Sequence, residues 1–557
     1  MRELDLADIQ GGILRAYGRL GFPKARYFCL SVHDGDKGRR FVEALRPHIT
    51  TASRWVDPTR GEPLLRTSHP KLTDVIRAAG DPDYPGEVQL VKPKVAINVA
   101  FSFLGLLALE VPTRTLRGMP DEFIDGMEKR ARMLGDTPWL SARDEIWQRA
   151  GEKPVHILVS MNAEMDDRGA PVPELEHRTE WLRGLCAASE GGVELLSGHG
   201  PTLADHQDGS AVLRDDGGKL APTNKEHFGL SDGFGDPVFI GQYGPGAEAI
   251  KRIGGGKLLP DQSWAPLATG EFLLGYPDEA QEIPGAAMPI EFSRNGTFMA
   301  YRKLHENVAS FSGYVSAQGR SYAALMDVPD PDEARATVSA KLVGRWDDGV
   351  PLMAAPTYAE WEAFNRTLAA AQATGDKAKL AEIALDYVNF TYRPDPAGAT
   401  CPVTAHLRRV NTRDMLDPRF SATNSKSWMG SALNNRRRIL RRGLPYGSVD
   451  PANLTDEGEH GIVFLAVCSS LFRQFEFVQQ QWVQYGLDFN SGSDTCPIVG
   501  NHDETSKFVI ATDPDGDGGP FICDRIPQFV EPRGGEYFFI PSMTALRMIG
   551  MGIVDPT

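Results

Sequence analysis

Four short runs of apolar, β-branched and aromatic residues, set far apart along the chain, constrain its fold more than any other feature. They are Arg26–Val32 (RYFCLSV), Pro154–Met161 (PVHILVSM), Ile462–Val467 (IVFLAV) and Glu536–Ile540 (EYFFI). Runs of this length and composition form strands. Helical patterns lie between them. Asp121–Leu134 places Phe123, Met127, Ala131 and Leu134 at spacings of 4, 4 and 3, an amphipathic period. Tyr358–Ala373 and Lys377–Ala384 also predict helices, and Phe472–Trp482 predicts one with an aromatic inner face. The elements intermix without the regular alternation of a doubly wound sheet, so the expected class is α+β with antiparallel sheets. The most apolar stretch, Val95–Val111, is short and interrupted by Asn98 and Ser102. It suits a buried strand or helix rather than a membrane span.

At about 150 residues per domain, the 557-residue chain makes two to four units. The Gly-, Asp- and Pro-rich stretch Pro201–Lys225 is the best boundary, and it suggests units 1–222 and 223–557. Long loops are expected at Gly244–Gly270 and Leu487–Ile526. The chain carries 59 basic and 74 acidic residues, a net charge of −15. That balance argues against nucleic acid or an anionic membrane as the main partner. Six cysteines without a C-x-x-C pair imply neither a disulfide framework nor a cysteine zinc site. The opening residues are acidic and lack an apolar signal core, which predicts a soluble, cytoplasmic protein.

Two motifs fail on inspection. Gly254–Lys257 has Leu258 where a phosphate loop needs Ser or Thr. Asp513, Asp515, Asp517 and Gly518 match early positions of a calcium loop, but Asp524 stands where Glu is usual. A solvated acidic turn is the better expectation.

Three segments carry chemistry. The first is Cys401-Pro-Val-Thr-Ala-His406-Leu-Arg-Arg-Val-Asn-Thr-Arg413-Asp414, a histidine followed by three arginines within seven residues. Such a set suits a ligand bearing both a metal and carboxylates, as haem does; it also describes a histidine in a basic loop. The second, Gly229-Leu-Ser-Asp232-Gly233, sets a carboxylate between glycines that permit tight turns. The third, Arg436–Arg442, has five arginines in seven residues, a solvated face or an anion site.

Together these segments resemble the dye-decolourising peroxidase family. Asp232 falls in its G-x-x-D-G motif, His406 in C-P-x-x-A-H-[IL]-R-R-x-N-x-R-D, and Arg441 in L-R-R-G-x-P-Y-G. Further matches run from Ile9-Gln-Gly-Gly-Ile-Leu14 to Tyr537-Phe-Phe-Ile-Pro-Ser542, so the resemblance spans the chain. The insertions resemble the family's larger cytoplasmic branch. The resemblance implies two ferredoxin-like domains, with one haem b per chain in the C-terminal one. It implies His406 as the axial iron ligand, Asp232 as acid–base group and Arg441 as charge stabiliser. Phe464, on the apolar strand after Arg441, is expected either to wall the distal pocket or to be plain core, and Arg408 or Arg409 to meet a propionate, strand alternation letting only one point inward. The implied reaction uses hydrogen peroxide to oxidise dyes and phenolics in one-electron steps, bulky dyes giving electrons through surface Tyr or Trp. The alternative is a haem-handling protein with little turnover.

Two departures stand out. Arg437 replaces a common His. Cys496-Pro-Ile-Val-Gly500 stands where relatives often have Asp-Pro-[LI]-[IV]-Gly. Asp494 is the expected substitute carboxylate behind His406.

Overall fold

All four apolar runs enter one sheet. The computed structural model describes residues 4–56, 90–148, 153–416, 432–513 and 519–553. The sheet's strands are β1 (Lys24–Val32), β2 (Val95–Phe101), β3 (Ile157–Ala163), β4 (Val193–Leu195) and β5 (Gln207–Ser210). They continue as β6 (Thr297–Glu306), β7 (Leu440–Arg441), β8 (Leu444–Gly447), β9 (His460–Cys468) and β10 (Val530–Ile540). Their order is β7-β9-β6-β10-β2-β3-β1-β4, with β8 also on β9 and β5 also on β1. Every pairing in the sheet is antiparallel. With helices packed on it, the fold is α+β.

The first 222 residues supply β1–β5 and the rest supply β6–β10. The two groups join where Phe101 of β2 pairs with Phe539 of β10. The sheet then curls until its remote parts approach: a Cβ on Gly209 of β5 would lie 3.5 Å from Leu444 Cβ on β8. Tyr27, Leu158, Tyr301, Val463, Leu465 and Phe538 fill the interior of the curl as one shared core. Burying such side chains stabilises the fold by about 1.5–3 kcal/mol each.

On the outer face the two groups differ. Helices Gly35–Leu45, Pro173–Ala188 and Met543–Met551 press Val42, Leu182 and Leu546 against Phe28, Phe101 and Val159. Over β6 and β9 the cover stands off. Alternation aims Arg302, Leu304, Glu306, Ile462 and Phe464 into a hollow, whereas their neighbours Tyr301, Val463 and Leu465 point into the shared core.

Several expectations are corrected. The helix Asp121–Leu134 breaks into Asp121–Asp125 and Ala131–Leu134. Gly126 between them has φ +75°, and the half-buried Glu536 carboxylate accepts the Met127 N–H at 2.8 Å, withdrawing that donor from a helix. Pro201–Lys225 is no bare linker, since β5 and the hairpin Leu213–Asp215/Leu220–Pro222 form within it. Gly244–Gly270 holds helix Pro245–Gly255 and a short hairpin. Phe472–Trp482 becomes wide-turned helices Leu471–Glu476 and Val478–Val483, with Phe475 and Trp482 inward but Phe472 exposed. Asp515, Asp517 and Gly518 of the acidic turn lie outside the described residues. All six cysteines are free and buried. Among the described residues no helix is long and apolar enough to cross a membrane.

Candidate active site

The hollow beside β6 and β9 is a cavity of about 280 Å³ whose lining includes His406, Asp232, Arg441 and Phe464. Residues scattered from 232 to 464 thus meet in one space. Its walls are mainly apolar, with a few polar groups converging, which is the ordinary make-up of a ligand site.

One wall is the short helix His406–Val410. His406, Leu407, Val410 and Asn411 line the cavity, a helical spacing. Arg408 and Arg409 therefore leave it sideways, correcting the expectation that one of them reaches a propionate through strand alternation. Arg408 donates to the Asp395 carboxylate at 2.8 Å and to the Asp395 carbonyl at 2.6 Å. Arg409 donates to the carbonyls of Trp482 at 3.0 Å and Asp494 at 2.5 Å. Both side chains are fully buried and brace the loops around His406.

Behind the imidazole, Nδ1 of His406 lies 3.2 Å from Sγ of Cys496. Asp494, the expected partner, instead offers its backbone carbonyl to Arg409. The sulfur is well fixed: Cys496 N–H donates to the Val483 carbonyl at 2.7 Å, and its carbonyl faces His502 Nε2 at 2.9 Å. Burial alone would push the Cys496 thiol up, but the charge and hydrogen bond of His406, with Arg409, bring it down to about 7. Burial alone would lower His406, but Cys496 and Asp232 together raise it. Because Nδ1 is engaged with sulfur, Nε2 is the nitrogen available to a ligand in the cavity.

Asp232 and Arg441 also line the cavity. Ser231 N–H donates to the Asp347 carbonyl at 2.9 Å and Asp232 N–H to the Asn224 carbonyl at 2.8 Å, which fixes the loop that presents Asp232. Gly233 and Gly235, at φ +94° and +73°, let the chain turn away on either side of Phe234. Arg441 comes from β7, where its neighbour Leu440 is buried in the shared core. Its Nη1 donates to Asp232 Oδ1, and its Nη2 donates to the Phe234 carbonyl at 3.1 Å and to Asp236 Oδ1 at 3.4 Å. Burial would lower the guanidinium's pKa, but the carboxylates of Asp232 and Asp236 outweigh it and push it up. Arg441 therefore stays charged.

Three further residues belong to the site although no motif singled them out for it. Arg413 is 2 % exposed. Its Nη1 donates to the carbonyls of Val388 and Phe390 at 2.9 and 2.8 Å, while Nε and Nη2 meet no protein acceptor. A Cβ on the cavity-lining Gly235 would lie 3.9 Å from that Nη2. A buried cation with donors to spare is costly unless an anion completes it. Glu226 and Glu306 also line the cavity. Burial, then the nearby Asp232 charge, pushes Glu226 up to about 7; burial and the Glu226 charge push Glu306 well above the usual carboxylate range. Arg413 stood in the quoted histidine segment. Glu306 could have been found from its alternation with Arg302 and Leu304 on one strand.

These residues fit a haem. The imidazole offers a free nitrogen, the walls are apolar, and Arg413 offers unpaired donors to a carboxylate at the margin.

No family model matches the chain. Curated relatives do. Peroxidase 2 of Mycetinis scorodonius is 25% identical over 566 residues, covering 98% of this chain and 87% of that protein. The multifunctional dye peroxidase DyP2 of an Amycolatopsis species is 27% identical, covering 83% and 85%. Among solved structures, a dye-decolorizing peroxidase in complex with 2,6-dimethoxyphenol is 23% identical, with TM-score 0.66 over 98% of this chain and 100% of the other. A decolorizing peroxidase of Auricularia auricula-judae is 22% identical, with TM-score 0.65 over 98% and 100%. Along nearly its whole length this chain is similar to curated dye-decolourising peroxidases, and it shares the fold of solved ones.

Proposed function

We propose that the protein is a haem-dependent peroxidase that uses hydrogen peroxide to oxidise aromatic compounds in one-electron steps, with one haem b per chain. The observation that carries this reading is the convergence of His406, Asp232 and Arg441 on a single cavity. When bound, haem supplies an iron that exchanges electrons with peroxide and reductant. His406 Nε2 would hold that iron, and Arg413 would meet a propionate with its spare donors.

The remaining steps are proton and charge work by the chain. An ionised Asp232 takes the proton from the inner oxygen of hydrogen peroxide and returns it to the outer, leaving oxygen. That step needs Asp232 in its ionised form. Arg441, permanently charged and already beside Asp232, stabilises negative charge on the departing oxygen. Phe464, Ile462 and Leu304 keep the space dry, which strengthens both effects. A haem-handling protein needs an iron ligand and propionate partners, but it needs neither Asp232 nor Arg441.

A structural relative was solved with 2,6-dimethoxyphenol, and phenols of that kind are the reductants we propose here. The same reading assigns residues 1–222 and 223–557 to two ferredoxin-like units, supported by the division of the strands at β5 and β6.

The test is spectroscopic. Protein purified with haem is scanned before and after one equivalent of hydrogen peroxide. A rapid change that Asp232→Asn slows, without loss of haem, supports the proposal. Stoichiometric haem with no response to peroxide supports the haem-handling alternative.

A further inference from the structure

A histidine that ligates a metal usually donates its second ring N–H to a carboxylate, a carbonyl or water, and that partner sets both the ring's orientation and its strength as a donor. Here the partner is a sulfur atom, Cys496 Sγ, 3.2 Å from His406 Nδ1. Cys496 is fully buried. The contact joins residues 90 apart in sequence, so it is made by the fold and not by local geometry. The loop that carries the sulfur is held by backbone bonds from Cys496 to Val483 and from Gly500 N–H to the Cys496 carbonyl at 3.0 Å. Arg409 ties the helix of His406 to the same loop through the carbonyls of Trp482 and Asp494. A Cβ on Gly500 would lie 2.6 Å from the Cys496 carbonyl oxygen, so glycine allows the loop to close this tightly. His406, Cys496 and Arg409 thus form one braced unit.

We propose that Cys496 is the positioning residue for the iron ligand: its Sγ accepts the His406 Nδ1–H, fixes the plane of the imidazole, and makes that imidazole a weaker electron donor than a carboxylate at the same place would. The proposal rests on ligation of iron by His406. Its physical basis is acceptor strength. A carboxylate oxygen is a compact, charged acceptor, whereas cysteine sulfur, as thiol or thiolate, is a larger and more diffuse one that pulls less on a ring N–H. The stronger the pull on the Nδ1 proton, the more anionic the ring and the more it favours the ferric state. The sulfur therefore holds the imidazole in place while leaving the iron's potential above that of a carboxylate-backed site.

The experiment uses the haem-loaded protein and two readouts that do not depend on turnover: the ferric/ferrous midpoint potential and the iron–histidine stretching band of the ferrous form. The variants are Cys496→Asp, Cys496→Ser and Cys496→Ala. Cys496→Asp is expected to lower the potential and raise the stretching frequency. Cys496→Ala is expected to do the opposite and to broaden the band, because the ring loses its anchor. Cys496→Ser, of similar size with an oxygen acceptor, should restore a narrow band. If Cys496→Ala does not fold, the comparison of Asp, Ser and wild type still gives the order. Equal potentials and bands across the folded variants overturn the proposal, as does a potential that rises in Cys496→Asp. His406→Ala separates the two levels of inference. If that variant keeps the wild-type haem spectrum, the ligation reading itself is wrong. If it loses that spectrum while the Cys496 variants match wild type, only the role of Cys496 fails.

Discussion

The sheet has two ends built on one pattern and finished differently. Around β1, β2 and β3 the outer face is sealed by helices whose side chains interlock with Phe28, Phe101 and Val159. Around β6 and β9 the same alternation sends Leu304, Ile462 and Phe464 into open space. β9 is as apolar as β2 and β3, but β6 also turns Arg302 and Glu306 toward the hollow, so strand sequence accounts for part of the difference and the cover for the rest. In the first group, amphipathic helices lie directly on the sheet. In the second, Asp232 sits on a loop and His406 on a five-residue helix, and these are held off by bonds to carbonyls and carboxylates such as Asp395, Asp347 and Asn224. Polar bracing can keep two walls apart, whereas apolar packing closes them together. One end of the sheet is therefore stability and the other is a site.

The sharpest way to break this contrast is His406→Ala. It should abolish the wild-type haem spectrum and peroxide turnover while leaving the far end of the sheet folded, as circular dichroism and absorption would show. Next, Asp232→Asn should retain haem and lower kcat/KM for hydrogen peroxide by about 100- to 10,000-fold, the range for removing a general acid–base group; unchanged kinetics would remove Asp232 from the mechanism. At the sealed end, Leu30→Ala should cost about 2–5 kcal/mol in urea unfolding with no change in the haem spectrum, since Leu30 is fully buried in the helix-covered core.

The carboxyl pair gives a pH test of the hollow end. Glu226 is raised to about 7, so its protonated form is favoured in the folded state. Its contribution is fully present below the unfolded value near 4.5 and is lost as pH rises through about 7. Stability should therefore fall across that window by on the order of 3 kcal/mol, and Glu226→Gln should flatten the decline measured by Tm against pH. Smallest of all, Phe464→Leu should change stability by only about 1 kcal/mol because its ring faces the cavity, yet it should shift the haem absorption. A cost matching that of Leu30→Ala would mean the hollow end is packed like the sealed one.

The strands and much of the site could be read along the chain. RYFCLSV and IVFLAV became β1 and β9 because apolar, β-branched runs have few other places to go. Asp232, His406, Arg441 and Phe464 stood in recognisable segments, and all four line the cavity. Where local pattern misled, a distant residue intervened. The helix over 121–134 stops at Gly126 because Glu536 takes the Met127 N–H. Arg408 and Arg409 turn away because their segment is a helix, whose successive side chains are about 100° apart, and not a strand.

By itself the sequence determined the α+β class, the strand faces and the side chains able to do peroxide chemistry, because periodicity and residue type are local properties. Tertiary structure decided which of them meet. Asp232 and Arg441 lie 209 residues apart and form an ion pair. His406 found Cys496 rather than Asp494, though only two residues separate the two candidates. Arg413 kept two donors free beside the cavity-lining Gly235, whereas Arg408 and Arg409 turned into the bracing loops. Hydrogen bonds form over about 3 Å, and only the folded chain sets distances on that scale between residues remote in sequence.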